Sequence, residues 1–177
     1  MKQDFFRVIS STALCRLLAT FPPVAREEID FSQGVDRVLA TAIVSPENLP
    51  LVNRSSMDGF AVHAEDTFGA SEGNPAYLEN RAELKIDELS TTPLARGECM
   101  GITTGGTLPP DSNAVDMVEH TQELGAGTIE IRKSVAPGDN VMLAGEDVAQ
   151  GASILPQGKR LRPQEIGLLA ALGIGNR

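Results

Sequence analysis

Between Leu51 and Asp147 the apolar runs are short, and Gly, Pro, Asn and Asp separate them. Such punctuation disfavours long helices and suits short strands joined by turns. The spacing predicts strands over Gly59–His63, Ala82–Ile86, Glu98–Thr103, Ala114–Glu119 and Thr128–Arg132. Ile129 and Ile131 alternate with Thr128, Glu130 and Arg132, the pattern of a strand with one wet face. Loops are expected at Ser71–Pro75 and Leu124–Gly127. Residues 51–147 are therefore expected to form a mostly β module.

The flanks carry helical stripes instead. Ser10 or Ser11 can cap a helix running to about Thr20, with Leu14, Leu17 and Leu18 on one face and Phe21-Pro22-Pro23 as its stop. Ile29 and Phe31 suggest a short strand. Ser32 can cap a second short helix bearing Val35, Val38 and Leu39, and Ala42-Ile43-Val44 reads as extended. Near the end, Pro163 suits the first turn of a helix striped by Ile166, Leu169 and Ala170, with Gly173 just past its end. The expected fold is α+β. Residues 1–50 and 148–177 would form a small α-rich domain, with the β module inserted between them.

At 41% hydrophobic and 22% charged, the chain of 177 residues is ordinary globular material. It has one Tyr and no Trp, so aliphatic side chains must fill the core. The formal net charge of −9 argues against nucleic acid, which requires a basic footprint. Cys15 and Cys99 lie far apart with no CxxC, which excludes a disulfide scaffold or a structural zinc site. Both read as small buried hydrophobes, and a reducing, cytoplasmic compartment fits. Asp4, Arg7 and Arg16 interrupt the apolar N-terminal stretch, so it does not read as a signal peptide. No stretch is long enough to cross a membrane as a helix.

The chemistry-bearing candidates are carboxylates and one hydroxyl-rich loop. Asp58 stands before Gly59 at a strand start, after Ser55 and Ser56. Glu146 and Asp147 follow Gly145. Carboxylate oxygens suit Mg²⁺, although most Asp and Glu are simply solvated. Thr103-Thr104-Gly105-Gly106-Thr107 could cradle an anion on its backbone amides or be a plain turn before Pro109-Pro110. It lacks the lysine and glycine spacing of a P-loop. His63 and His120 have no metal-pair spacing and read as surface or interface residues. No G-x-S-x-G elbow supports a serine hydrolase.

The segment Ser55-Ser56-Met57-Asp58-Gly59-Phe60-Ala61-Val62 resembles the S-x-M-D-G-[YF]-A-V signature of the molybdopterin molybdenumtransferases, the MoeA and gephyrin E-domain family. Further blocks resemble that family in the same order. They are Arg37–Ala40, Thr104–Pro109, Ala114–Glu119, Gly145–Val148, Leu155–Pro163 and Glu165–Ala170.

The resemblance implies the N-terminal two domains of an enzyme that inserts molybdenum from molybdate into adenylylated molybdopterin, releasing AMP. It assigns Asp58 and Asp147 to catalysis and to Mg²⁺, and Ser56, Thr104, Gly105 and Glu146 to substrate binding. It also implies a homodimer and contacts with other molybdenum cofactor biosynthesis proteins, with neither nucleic acid nor membrane as partner. Two departures stand out: Arg54 replaces the usual Asn, and Val141–Ala144 lacks the basic residues usual before Gly-Glu-Asp. The family's later α/β and β-barrel domains are not represented, so the isolated chain is expected to be inactive. The competing reading is a non-catalytic binding or dimerisation module.

Overall fold

The computed structural model describes residues 9–22, 24–86 and 88–175. Lys2, Asp4 and Arg7 of the N-terminal stretch, Pro23, and Asn176-Arg177 lie outside the described residues.

The centre is a six-stranded mixed sheet. Its strands are β3 (Gly59–Val62), β4 (Ala76–Leu84), β5 (Glu98–Ile102), β6 (Ala114–Met117), β7 (Thr121–Gly125) and β8 (Thr128–Ile131), in the order β6-β3-β5-β4-β8-β7. Only β4 and β5 run parallel; every other pair is antiparallel. Two aliphatic clusters cover the sheet. Val62, Leu78, Cys99, Ala114, Ile129, Ile131 and Val135 form one, and Ala61, Leu84, Leu94, Met100, Ile102, Leu108 and Val115 the other. Successive strand residues face opposite sides. The adjacent pairs Ala61/Val62, Cys99/Met100 and Ala114/Val115 therefore feed both clusters, which makes the inner strands apolar throughout.

β4 begins earlier than Ala82 and spans nine residues. The expected loop at Leu124 is the end of β7, whose hairpin to β8 turns through Gly125, Ala126 and Gly127, all at positive φ. Gly59 is required by close approach: a Cβ there would sit 1.9 Å from the backbone oxygen of Asp116 on β6.

Two small ladders attach the rest. β2 (Arg54–Ser55) pairs with β9 (Val141–Met142), and β1 (Ile43–Val44) pairs with β10 (Ser153–Leu155). The segments before and after the central sheet thus meet. Val38 bridges to Arg160 and Leu49 to Val148. A third cluster joins Leu39 and Ile43 from the front to Leu155, Leu161, Ile166, Leu169 and Ile174 from the back.

Helix α1 (Ser11–Leu18) starts where Ser10 accepts a 3.2 Å bond from the Ala13 amide. None of its residues is buried, so Cys15 is exposed rather than packed as expected, whereas Cys99 is fully buried. Helix α2 (Pro163–Ala171) has Pro163 in its first turn. It ends in a Schellman pattern: Gly173 N–H donates to Ala170 and Ile174 N–H to Leu169, with Gly173 at φ +63°.

The stretch around residues 29–39 departs from expectation. Phe31–Gln33 is a single 3-10 turn capped by Asp30, which accepts a 2.8 Å bond from the Ser32 amide. Neither the Ile29–Phe31 strand nor the helix bearing Val35, Val38 and Leu39 forms. Asp36 takes φ +67°, which breaks a helix. The amides of Asp36 and Leu39 instead donate to Leu161 and Lys159, so pairing with the far end of the chain overrides the local helical spacing.

Candidate functional site

Asp58 sits in the turn between β2 and β3. Its Oδ1 accepts two bonds from Thr104, one from the amide at 2.6 Å and one from Oγ1 at 2.8 Å. The amide bond, then the hydroxyl bond, holds the Asp58 carboxyl below the usual carboxylate range, against a small opposing effect of burial. Both side chains are exposed. No hydrogen bond to Oδ2 exists among the described residues.

Two residues separated by nearly fifty positions are thus held together, and β2 explains how. The Ser55 amide donates to Gly106, the Gly105 amide donates back to Ser55, and Arg54 bridges to Thr107. Ser55 itself is 1% exposed and bonded to the Met57 amide, so it shapes the turn. Ser56 is half-buried, with its amide on Asn140. Three of the loop's amides are engaged: Thr104 on Asp58, Gly105 on Ser55 and Gly106 on Thr103.

Glu146 and Asp147 lie just beyond β9. The segment 140–144 is stitched to 53–56 through the Ser56 bond to Asn140, the β2–β9 ladder, and the Ala144 amide on Asn53 Oδ1 at 2.8 Å. Glu146 is exposed, and its Oε2 accepts from the Leu143 amide at 2.9 Å, a turn-closing bond. Asp147 is exposed, and among the described residues its carboxylate makes no hydrogen bond or ion pair. No hydrogen bond joins Glu146 or Asp147 to Asp58 or Thr104 among the described residues.

Among those residues, no group of three or more His, Cys, Asp or Glu is placed to hold a metal ion. The donors do not fit a protein-only cage. They fit an ion held by one or two carboxylates and completed by phosphate and water, the habit of Mg²⁺. Two concavities of the molecule lie elsewhere. One, about 860 Å³, runs between Val24–Ile29 and Leu161, Leu169 and Ile174. The other, about 490 Å³, lies between Leu51–Asn53 and Thr107–Ser112. Neither is lined by Asp58, Thr104, Glu146 or Asp147. The candidate site lies on an open, exposed surface.

The histidines keep structural company. His63 Nε2 bonds the Leu94 carbonyl at 2.7 Å, and His120 Nε2 lies 3.4 Å from Lys133 Nζ. Among the residues sequence reasoning passed over, Asp116 on β6 is the most unusual. It is fully buried, and among the described residues both carboxylate oxygens lack a hydrogen-bond partner. Burial pushes its carboxyl up to about 7, opposed by the Lys133 charge and by the Met117 amide, neither of which bonds to it. An Asp between Val115 and Met117 in an otherwise apolar strand was the available signal.

Residues 9–173 match the family described as MoeA N-terminal region (domain I and II). The chain is 42% identical over 148 residues to a putative molybdopterin biosynthesis protein of Methanocaldococcus jannaschii, covering 84% of this chain and 35% of that protein. It is 36% identical over 149 residues to molybdopterin molybdenumtransferase 2 of Mycobacterium tuberculosis, covering 82% of this chain and 36% of the relative. A crystal structure of a molybdopterin biosynthesis MoeA protein from Pyrococcus horikoshii superposes with a TM-score of 0.84 at 34% identity, covering 96% of this chain and 43% of the other. The chain spans little more than a third of the length of these curated relatives. With its motifs, its sheet and nearly all its residues matched, the chain belongs to the MoeA family, of which it represents the N-terminal region.

Proposed function

We propose that this chain is the N-terminal part of a cytoplasmic enzyme that inserts molybdenum from molybdate into adenylylated molybdopterin and releases AMP. Relatives named molybdopterin molybdenumtransferase support the reading. The observation that carries it is the Asp58–Thr104 clasp. The clasp favours the ionised form of Asp58, fixes one oxygen and leaves the other without a hydrogen bond among the described residues, so a negative charge is held in place. Asp147 is the second proposed carboxylate, and Ser56, Thr104, Gly105 and Glu146 are proposed contacts to substrate. Asp58 and Asp147 would hold Mg²⁺, which supplies charge neutralisation at phosphate when bound. Catalysis requires reacting groups fixed in one geometry. An open surface cannot do that alone, so the isolated chain is proposed to be inactive.

The proposal divides the chain into residues 1–50 with 148–177, which join a second copy, and residues 51–147, which carry the site. The apolar side chains left exposed on and after α1, namely Leu14, Leu17, Leu18 and Phe21, favour association through the first part. Sedimentation showing only monomer at high protein concentration would count against this division of roles. A purely non-catalytic dimerisation module is the competing reading.

The decisive experiment grafts this chain in place of the matching N-terminal third of the Bacillus subtilis molybdopterin molybdenumtransferase. Adenylylated molybdopterin, Mg²⁺ and molybdate are supplied and AMP release is followed. Activity in the graft that is lost with Asp58→Ala supports the enzyme reading. A folded graft without activity, or one indifferent to Asp58→Ala, refutes it.

A further inference from the structure

We infer that Arg54 is a positioning residue for Asp58, acting through the turn that carries Thr104. Thr103 to Gly106 is closed by the Gly106 amide on the Thr103 carbonyl at 2.9 Å, and Gly105 takes φ +83°. These are the marks of a type II turn, whose third residue favours glycine. The peptide before Gly105 is held by its amide on the Ser55 carbonyl at 2.8 Å. The peptide after it is held by the Gly105 carbonyl, which accepts from Arg54 Nη1 at 2.9 Å. Two neighbouring residues of β2 thus grip the two peptides around one flexible glycine.

The guanidinium is free for this task. Among the described residues Arg54 makes no ion pair, although the chain carries 24 acidic residues. It is half-buried, and its backbone is fixed by pairing with Met142 and bridging to Thr107. A planar, rigid donor on an anchored strand suits a clamp better than a mobile ammonium does. Without the clamp, the Gly105-Gly106 peptide keeps only the Gly106 amide bond to Thr103, and glycine has little conformational preference of its own to add to it. Thr104 would then present its amide and hydroxyl to Asp58 for less of the time. The uncharged Val141–Ala144 stretch opposite β2 offers no substitute cation.

The geometry needs no substrate, so the test uses the 177-residue chain alone, and it bears on catalysis only through the role proposed for Asp58. Hydrogen exchange at the Thr104 amide is followed in the unaltered chain, Arg54→Met and Arg54→Lys. In Arg54→Met, Thr104 exchange should quicken about fivefold, the factor for one ordinary hydrogen bond. Arg54→Lys, which keeps one donor, should recover part of the protection. A folded Arg54→Met with Thr104 exchange unchanged overturns the inference. Should that variant fail to fold, the unaltered chain decides: hindered rotation of the Arg54 guanidinium supports the clamp, and free averaging of its Nη resonances overturns it. A confirmed clamp alongside an inactive graft would refute the enzyme reading alone.

Discussion

Glu165 at the start of α2 is 7% exposed and Asp116 on β6 is 0% exposed, yet the two buried acids live in opposite circumstances. Glu165 closes a capping box on the Arg162 amide at 2.9 Å, takes the Arg162 guanidinium, and lies 3.4 Å from Lys159. The Arg162 side-chain bond leads in holding its carboxyl down at about 2, while burial opposes. Among the described residues Asp116 has neither bond nor ion pair, and burial holds its carboxyl up at about 7. Near the chain ends a buried charge is a fastener. In the sheet it is a strain that apolar packing around it must outweigh.

The largest expected effect breaks the contrast from the sheet side. A group whose carboxyl titrates higher in the folded than in the unfolded chain favours folding in its protonated form. Its contribution is complete below about pH 4 and is lost as pH rises through about 7. The span corresponds to about 4 kcal/mol, as an order of magnitude. Asp116→Val should therefore raise unfolding free energy by about 3 kcal/mol at pH 8 and much less at pH 4. Urea melts at both pH values check it; equal effects at the two would show that Asp116 does not titrate in this range.

Next in size is Gly59→Ala. The added carbon would meet the Asp116 backbone at 1.9 Å, so the β3–β6 pairing must part, at a cost of about 1–3 kcal/mol. Hydrogen exchange should locate the loss at β3 and β6; a melt like the parent's would mean that this edge yields freely.

Glu165→Gln sharpens the contrast from the other side. A carboxyl held low stabilises the fold above about pH 4.5 and loses that effect as pH falls through about 2. The variant should be less stable than the parent from pH 5 to 8, with the difference vanishing toward pH 2. A difference that persists there would assign the role to shape rather than charge.

The smallest effect is expected on α1. Leu14→Ser with Leu17→Ser should change the stability of dilute monomer by no more than about 0.5 kcal/mol per site, since neither side chain is buried. A larger drop would place this stripe against a surface within the same chain.

The sequence made the punctuated strands β3, β5, β6 and β8 legible, because glycine, proline and polar turns mark their ends. It hid β7, whose Gln122 and Glu123 are exposed at a sheet edge and leave no alternating stripe. It misled around Val35–Leu39, where a helical spacing was local and the partner lay more than a hundred residues away. Family motifs marked Asp58 and Thr104 separately, but their hydrogen bonds were not legible, because nothing in either short segment states the distance between them. Asp116 escaped notice because an isolated Asp reads as a solvated residue until both faces of its strand are known to be covered.

The crossing point at Leu49 and Val148 has a practical sequel. The Leu49 amide donates to Val148 at 2.8 Å and the Val148 amide donates back at 3.0 Å, so the chain enters and leaves the sheet side by side. A segment whose ends touch can be lifted out and spliced into another host with a short joint. It can also be reconnected in a different order, with new termini opened at the Gly125–Gly127 hairpin, without stretching any strand.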